Sequence, residues 1–139
     1  MRAIDFARKL PAVEPAAPLA EAARRLLAEG VEAVAVISGD DVVGVLSEGD
    51  LVSAVARGLP PHRAVAEVLE RPPLVVEGYE PLWKVAEAML AVGAEVAAVS
   101  IGGRYAGAVF AGDIAAVEAQ LSEAAAFAEL ADSQAPPAD

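Results

Sequence analysis

Residues 13–52 and 76–115 align with each other at a constant offset of 63 with no gap, and 15 of the 40 pairs are identical. Each copy ends in the same spacing of glycines and an acid: Gly44-Val45-Leu46-Ser47-Glu48-Gly49-Asp50, then Gly107-Ala108-Val109-Phe110-Ala111-Gly112-Asp113. A period this long means two copies of one supersecondary unit rather than a short-period solenoid. A half of about 60 residues is marginal as an independent domain. The halves are therefore expected to pack on one another, and a groove between them is the natural place for a ligand.

The hydrophobic pattern within one copy predicts its elements. Leu19, Ala22, Ala23, Leu26 and Leu27 recur at helical spacing, with Glu21, Arg24 and Arg25 on the other face, so 18–29 reads as an amphipathic helix. Leu82, Val85, Ala86, Met89 and Leu90 repeat it over 81–92. Pro18 and Pro81 mark the first turns, and Gly30 and Gly93 stand where a left-handed residue ends a helix. Two apolar runs follow in each copy, 33–37 and 42–46, then 96–101 and 105–110, joined by Gly39-Asp40-Asp41 and Gly102-Gly103-Arg104. They predict strand hairpins, apolar enough to be covered on both faces. Short strands at 11–14 and 74–77 and a closing helix after each signature, 50–57 and 113–130, complete a β-α-β-β-α unit. Short helix-like segments open at Arg2 and Arg63, and Gly58-Leu59-Pro60-Pro61-His62 reads as the linker.

Charge and composition remove several classes of function. A net charge of −11, with ten Lys and Arg in the whole chain, offers no basic surface to nucleic acid or to an anionic membrane. The absence of cysteine rules out a disulfide framework, a thiolate nucleophile and sulfur-ligated zinc, and the single His62 cannot build a histidine cluster. No nucleophile–base pair or Gly-Lys-Ser/Thr phosphate loop is present, so the sequence offers no catalytic constellation. Met1–Asp5 contains an early acid and no apolar run approaches a membrane span, which makes a cytoplasmic location the default expectation.

The repeat, the element order and the segment Val42–Leu51 with its Gly-h-h-Ser-x-x-Asp ending together resemble the cystathionine-β-synthase (CBS) domain pair, or Bateman module. The likeness covers about residues 2–118. It implies an α/β (α+β) fold: a tandem pair of β-α-β-β-α repeats packed through their sheets with pseudo-two-fold symmetry. The expected boundaries are repeat 1 at 1–58, a linker at 59–62, repeat 2 at 63–120, and a helical extension with a disordered tail at 121–139. The resemblance also implies a stand-alone, non-enzymatic regulatory module that needs no cofactor. Such a module senses AMP, ADP, ATP or S-adenosylmethionine in the cleft between the repeats, forms a homodimer, and signals to an unidentified effector protein.

Carried over residue by residue, the resemblance makes Asp50 and Asp113 acceptors for ribose hydroxyls and Ser47 a contact to ribose or phosphate. A carboxylate suits a vicinal diol, since it accepts from both hydroxyls. Lys9 and Arg71, from the segments before the first strands, and Pro11, at the start of the first one, complete the expected ligand set, with Arg8 and Lys84 as further basic candidates. The pattern departs from many nucleotide-binding members at Gly49 and Gly112, where a basic residue commonly precedes the aspartate, and at Glu32 and Glu95, where cations commonly face phosphate. Those departures favour AMP or a zwitterionic adenosyl compound over a polyphosphate.

Local readings compete with these assignments. Ser47-x-x-Asp50 also fits a capping box at the start of a helix, which corresponds to a ligand-free structural or dimerisation module. Glu32 and Glu95 also fit as solvated surface residues. Phe110 replaces the serine in the second copy and either fills that cleft or stacks on a base, with filling favoured. Trp83, on the outer face of 81–92, and neighbouring Tyr79 suggest a dimer contact.

Overall fold

The structure, a computed structural model, describes residues 1–133. The expected tail falls largely outside the described residues. The main helices of the two copies, α2 (Leu19–Glu29) and α4 (Leu82–Val92), each end on a glycine in the left-handed conformation, Gly30 at φ 62° and Gly93 at φ 67°. A Cβ is disfavoured in that conformation, which explains why the repeat keeps glycine at both places.

Each copy forms its own three-stranded sheet. β1 (Ala12–Val13) pairs in parallel with β2 (Ala33–Ser38), which pairs antiparallel with β3 (Asp41–Ser47). β4 (Val75–Glu77), β5 (Val96–Ile101) and β6 (Arg104–Phe110) repeat this order. Even the register break recurs, between Val36 and Ile37 and between Val99 and Ser100, one offset apart. The closing helices are α3 (Glu48–Ala56) and α5 (Ala111–Ser133).

Each copy has a core between its helices and the inner face of its sheet. In the first, Ala22, Leu26, Val34, Val36 and Leu46 are buried together; in the second, Val85, Met89, Ala97, Val99 and Val109 are. Volume is exchanged between equivalent positions: helix Ala22 accompanies strand Val34, whereas helix Val85 accompanies strand Ala97. Conserving total volume in this way keeps both cores filled without a shared sequence. A third cluster, built on Leu10, Ala33 and Ala108 with Val45, Val96, Tyr105 and Phe110 packed around it, joins the two sheets.

The segments that lead into each repeat are exchanged. Helix α1 (Ala3–Phe6) docks on the second copy, where Ala3 and Ile4 donate backbone hydrogen bonds to Glu80 and Gly78 and Ala3 is fully buried in that core. The 3-10 turn Val65–Val68 docks on the first copy, with Val65 and Ala66 donating to Ala17 and Pro15 and Val65 buried in the first core. The paired prolines of the linker, Pro60 and Pro61, thus redirect the chain back across repeat 1 before repeat 2 begins. Among the described residues, no helix is long and apolar enough to cross a membrane.

Candidate functional site

Two clefts lie between the repeats at equivalent places, and they meet at Ser47, Glu95 and Val96. Cleft 1 encloses about 670 Å³. It is bounded by the end of β3 with the start of α3 (Val45, Ser47, Asp50), by the lead-in segment Val68–Leu74, and by Val92–Val96 after α4. Cleft 2 encloses about 450 Å³ between Arg8, Glu32, Glu95 and the signature residues Phe110–Asp113. Both volumes fall in the range of small-molecule sites.

At the mouth of cleft 1 the signature forms a reciprocal cap. The Ser47 N–H donates to Asp50 Oδ2 at 2.9 Å, and the Asp50 N–H donates to Ser47 Oγ at 3.2 Å. The capping box is therefore real, and it satisfies two donors at the start of α3. It engages one carboxylate oxygen and leaves Oδ1 for an incoming donor, since a carboxylate has about four acceptor sites. Arg71 lines the same cleft and makes no ion pair with a described residue, whereas its neighbour Glu70 is 3.6 Å from Arg57. Pro72, Pro73, Leu69 and Val96 supply an apolar wall.

Cleft 2 is arranged differently. The Arg8 guanidinium forks onto Asp113, with Nε donating to Oδ2 at 2.7 Å and Nη2 to Oδ1 at 2.5 Å. It also lies over the Phe110 ring, 4.9 Å from the centroid. The hydrogen bonds to Asp113 raise the Arg8 pKa above its usual value, partial burial opposes this, and the charges of Asp113 and Glu32 add to the rise. Arg8 is held in place by its backbone, which exchanges hydrogen bonds with Ala108 at 2.8 and 2.9 Å. Behind it the Leu10 N–H donates to the Tyr105 hydroxyl at 3.0 Å, and burial pushes the Tyr105 phenol up against the opposing effect of that contact.

Of the residues expected to bind a ligand, Ser47, Asp50 and Arg71 come together in cleft 1, and Asp113 lies in cleft 2. Lys9 and Pro11 line neither cleft: Lys9 is exposed, and Pro11 is buried with its carbonyl accepting from Ala35. Glu32 and Glu95 are exposed but line cleft 2, so their charge is felt there. Phe110 does occupy the cleft, as favoured, but as the platform for Arg8. That pairing of Arg8 with Asp113, across 105 residues, is the feature sequence reasoning missed.

A two-cleft tandem repeat with exchanged lead-in segments is a small class of fold, and the comparisons agree on which one. Residues 3–57 match the family model of the CBS domain. A CBS-domain protein of Agrobacterium tumefaciens, ATU1752, superposes with a TM-score of 0.72 at 25% identity, covering 85% of this chain and 99% of its own. The CBS domain protein PAE2072 of Pyrobaculum aerophilum, solved with AMP, gives 0.71 at 23% identity over 79% and 87% of the two chains. The CBS domain pair of protein MJ0100, solved with 5′-methylthioadenosine and S-adenosyl-L-methionine, gives 0.75 at 20% identity over 86% and 97%. No curated protein sequence matches the chain. Residues 3–57 thus match a CBS domain, and the chain as a whole has the fold of the CBS-domain pairs on which it superposes.

Proposed function

We propose that the chain is a regulatory CBS-domain pair that binds an adenosine-containing ligand in cleft 1. The observation that carries the reading is the placement of a half-capped carboxylate, Asp50, and a cation without an ion pair among the described residues, Arg71, on one apolar-walled cleft of about 670 Å³. Asp50 Oδ1 accepts from the ribose hydroxyls, the apolar wall takes the base, and Arg71 receives a phosphate or carboxylate. A single cation beside Glu70 and Glu95 fits AMP or a zwitterionic adenosyl compound better than a polyphosphate. Similar pairs solved with AMP and with S-adenosyl-L-methionine support the ligand class.

The reading extends to a second copy of the chain and to an effector protein in the cytoplasm. Leu27 and Leu90, equivalent in the repeat, are 85% and 83% exposed, and Val52, Val55 and Trp83 add to the apolar surface of the outer helices. A homodimer would cover these faces, and the mass in solution reads it directly.

The ligand test separates binding from capping. AMP at about a hundred times its Kd adds about 2.7 kcal/mol to the stability of a protein that binds it only when folded. Asp50 stands at the third position of α3, where the amide oxygen of an Asn still accepts from the Ser47 N–H of the capping box, so Asp50→Asn is expected to melt close to the wild type without ligand and to lose the AMP-dependent shift. A wild type that gives no shift with AMP or S-adenosylmethionine would leave the capping box as the whole role of Ser47 and Asp50.

A further inference from the structure

Cleft 2 is filled from within. A nucleoside held there would stack its base on an aromatic face and present hydroxyl donors to the signature carboxylate. Arg8 already does both: its planar guanidinium lies over Phe110 and its fork occupies both oxygens of Asp113. The backbone of Arg8 is pinned to Ala108 by two hydrogen bonds, so the side chain enters the cleft from a fixed point. Arg71 stands at the equivalent place, one offset later, yet no backbone hydrogen bond joins it to Val45 among the described residues, and its guanidinium leaves Asp50 free. The remaining charges of cleft 2, Glu32, Glu95 and Asp113, are all acidic.

We propose that Arg8 is a built-in plug that stands where a nucleoside would sit: it covers a latent site for an uncharged nucleoside in cleft 2 and so limits the chain to one tight ligand site. A half-exposed fork and a cation–π stack, each modest in water, together handicap a competing ligand by roughly tenfold. Removing the arginine frees Asp113 for a ribose diol. It also leaves three carboxylates and no cation, an environment that opposes a 5′-phosphate. Adenosine, which carries no phosphate, is the probe that fits.

The proposal uses the assignment of cleft 1 only to supply the count of one, and calorimetric titration of the full chain separates the two. The wild type is expected to bind one AMP and one adenosine per chain tightly. Arg8→Ala is expected to bind two adenosines but still one AMP, and adding Asp113→Ala is expected to return adenosine to one. Arg8→Gln, which keeps most of the side-chain volume, guards against loss of folding and is expected to behave as Arg8→Ala does. Two tight AMP sites in the wild type, or a single adenosine site in the wild type and in both arginine variants alike, overturns the plug. A wild type that binds nothing, beside an Arg8→Ala chain that binds one adenosine through Asp113, sustains the plug and sinks the assignment of cleft 1. Absence of binding in every variant sinks both.

Discussion

Arg8 and Arg71 are the same residue at the same place in two copies of one unit, and they do opposite things. Arg8 is locked onto the carboxylate of its cleft; Arg71 leaves its carboxylate open. The residues that follow account for the difference. Lys9 and Leu10 both have N–H groups, and Leu10 uses its own on Tyr105. Their counterparts, Pro72 and Pro73, have none. Where the lead-in can donate, the opposite strand has a tyrosine hydroxyl to accept; where it cannot, the position equivalent to Tyr105 is Val42. Donor and acceptor have been lost together, as expected when an unpaired buried polar group is costly. A repeat fold can thus keep its symmetry in the backbone while its two clefts diverge through a few paired side-chain changes.

The largest effect bears on whether the two copies are separate bodies at all. Leu46 is fully buried in the first core, and Leu46→Ala is expected to cost about 2–5 kcal/mol. Because α1 is buried in the second core and the Val65–Val68 turn in the first, neither copy keeps an intact core when the other unfolds. The variant should therefore melt in one transition shifted to lower temperature, with tryptophan fluorescence from Trp83 in the second copy following the same curve as far-UV circular dichroism. Two separated transitions would show that the exchanged segments do not couple the halves.

Gly44 and Gly107 sharpen the comparison at the strands themselves. A Cβ on Gly44 would meet the end of the Leu69 side chain at 2.7 Å, and a leucine can turn away. At Gly107 it would meet the Arg8 backbone oxygen at 2.9 Å with φ at +148°, a conformation that L residues rarely adopt. Gly107→Ala is expected to cost about 1–3 kcal/mol and to dislodge Arg8; Gly44→Ala should cost less, about 1 kcal/mol or below. Urea unfolding of the pair measures both, and equal losses would mean that the lead-ins lie equally close in the two copies.

Much of this molecule was legible in the sequence. The repeat and its local patterns located every long strand and helix to within three residues, because periodicity and the Pro and Gly punctuation act locally. The capping partners Ser47 and Asp50 were legible for the same reason. The exchange of lead-ins was not, since a proline-rich linker signals a turn without its direction, and the Arg8–Asp113 pair joins residues that no local pattern connects. A trace of it is nevertheless present: carrying the offset five residues upstream matches Arg8 with Arg71, and sets Leu10 with Tyr105 against Pro73 with Val42.

Tyr105 gives a small expected effect and confines it to one copy. Its hydroxyl accepts from the Leu10 N–H, and Tyr105→Phe is expected to cost about 1 kcal/mol near neutral pH, the usual net worth of such a bond. Burial disfavours the phenolate and raises the pKa in the folded state above the value of about 10 found in an unfolded chain. From about pH 10 upward the unfolded state therefore releases the proton first and is stabilised relative to the folded one. Stability from this group is intact below the unfolded pKa and is lost as pH rises through the folded pKa. Urea midpoints measured from pH 8 to 11 should fall for the wild type and fall less for Tyr105→Phe. Introducing a tyrosine at Val42 in the Tyr105→Phe chain should restore the slope, because burial causes the rise and Pro73 has no N–H to oppose it; a slope that stays flat would mean that the first copy does not bury a phenol at the equivalent strand position.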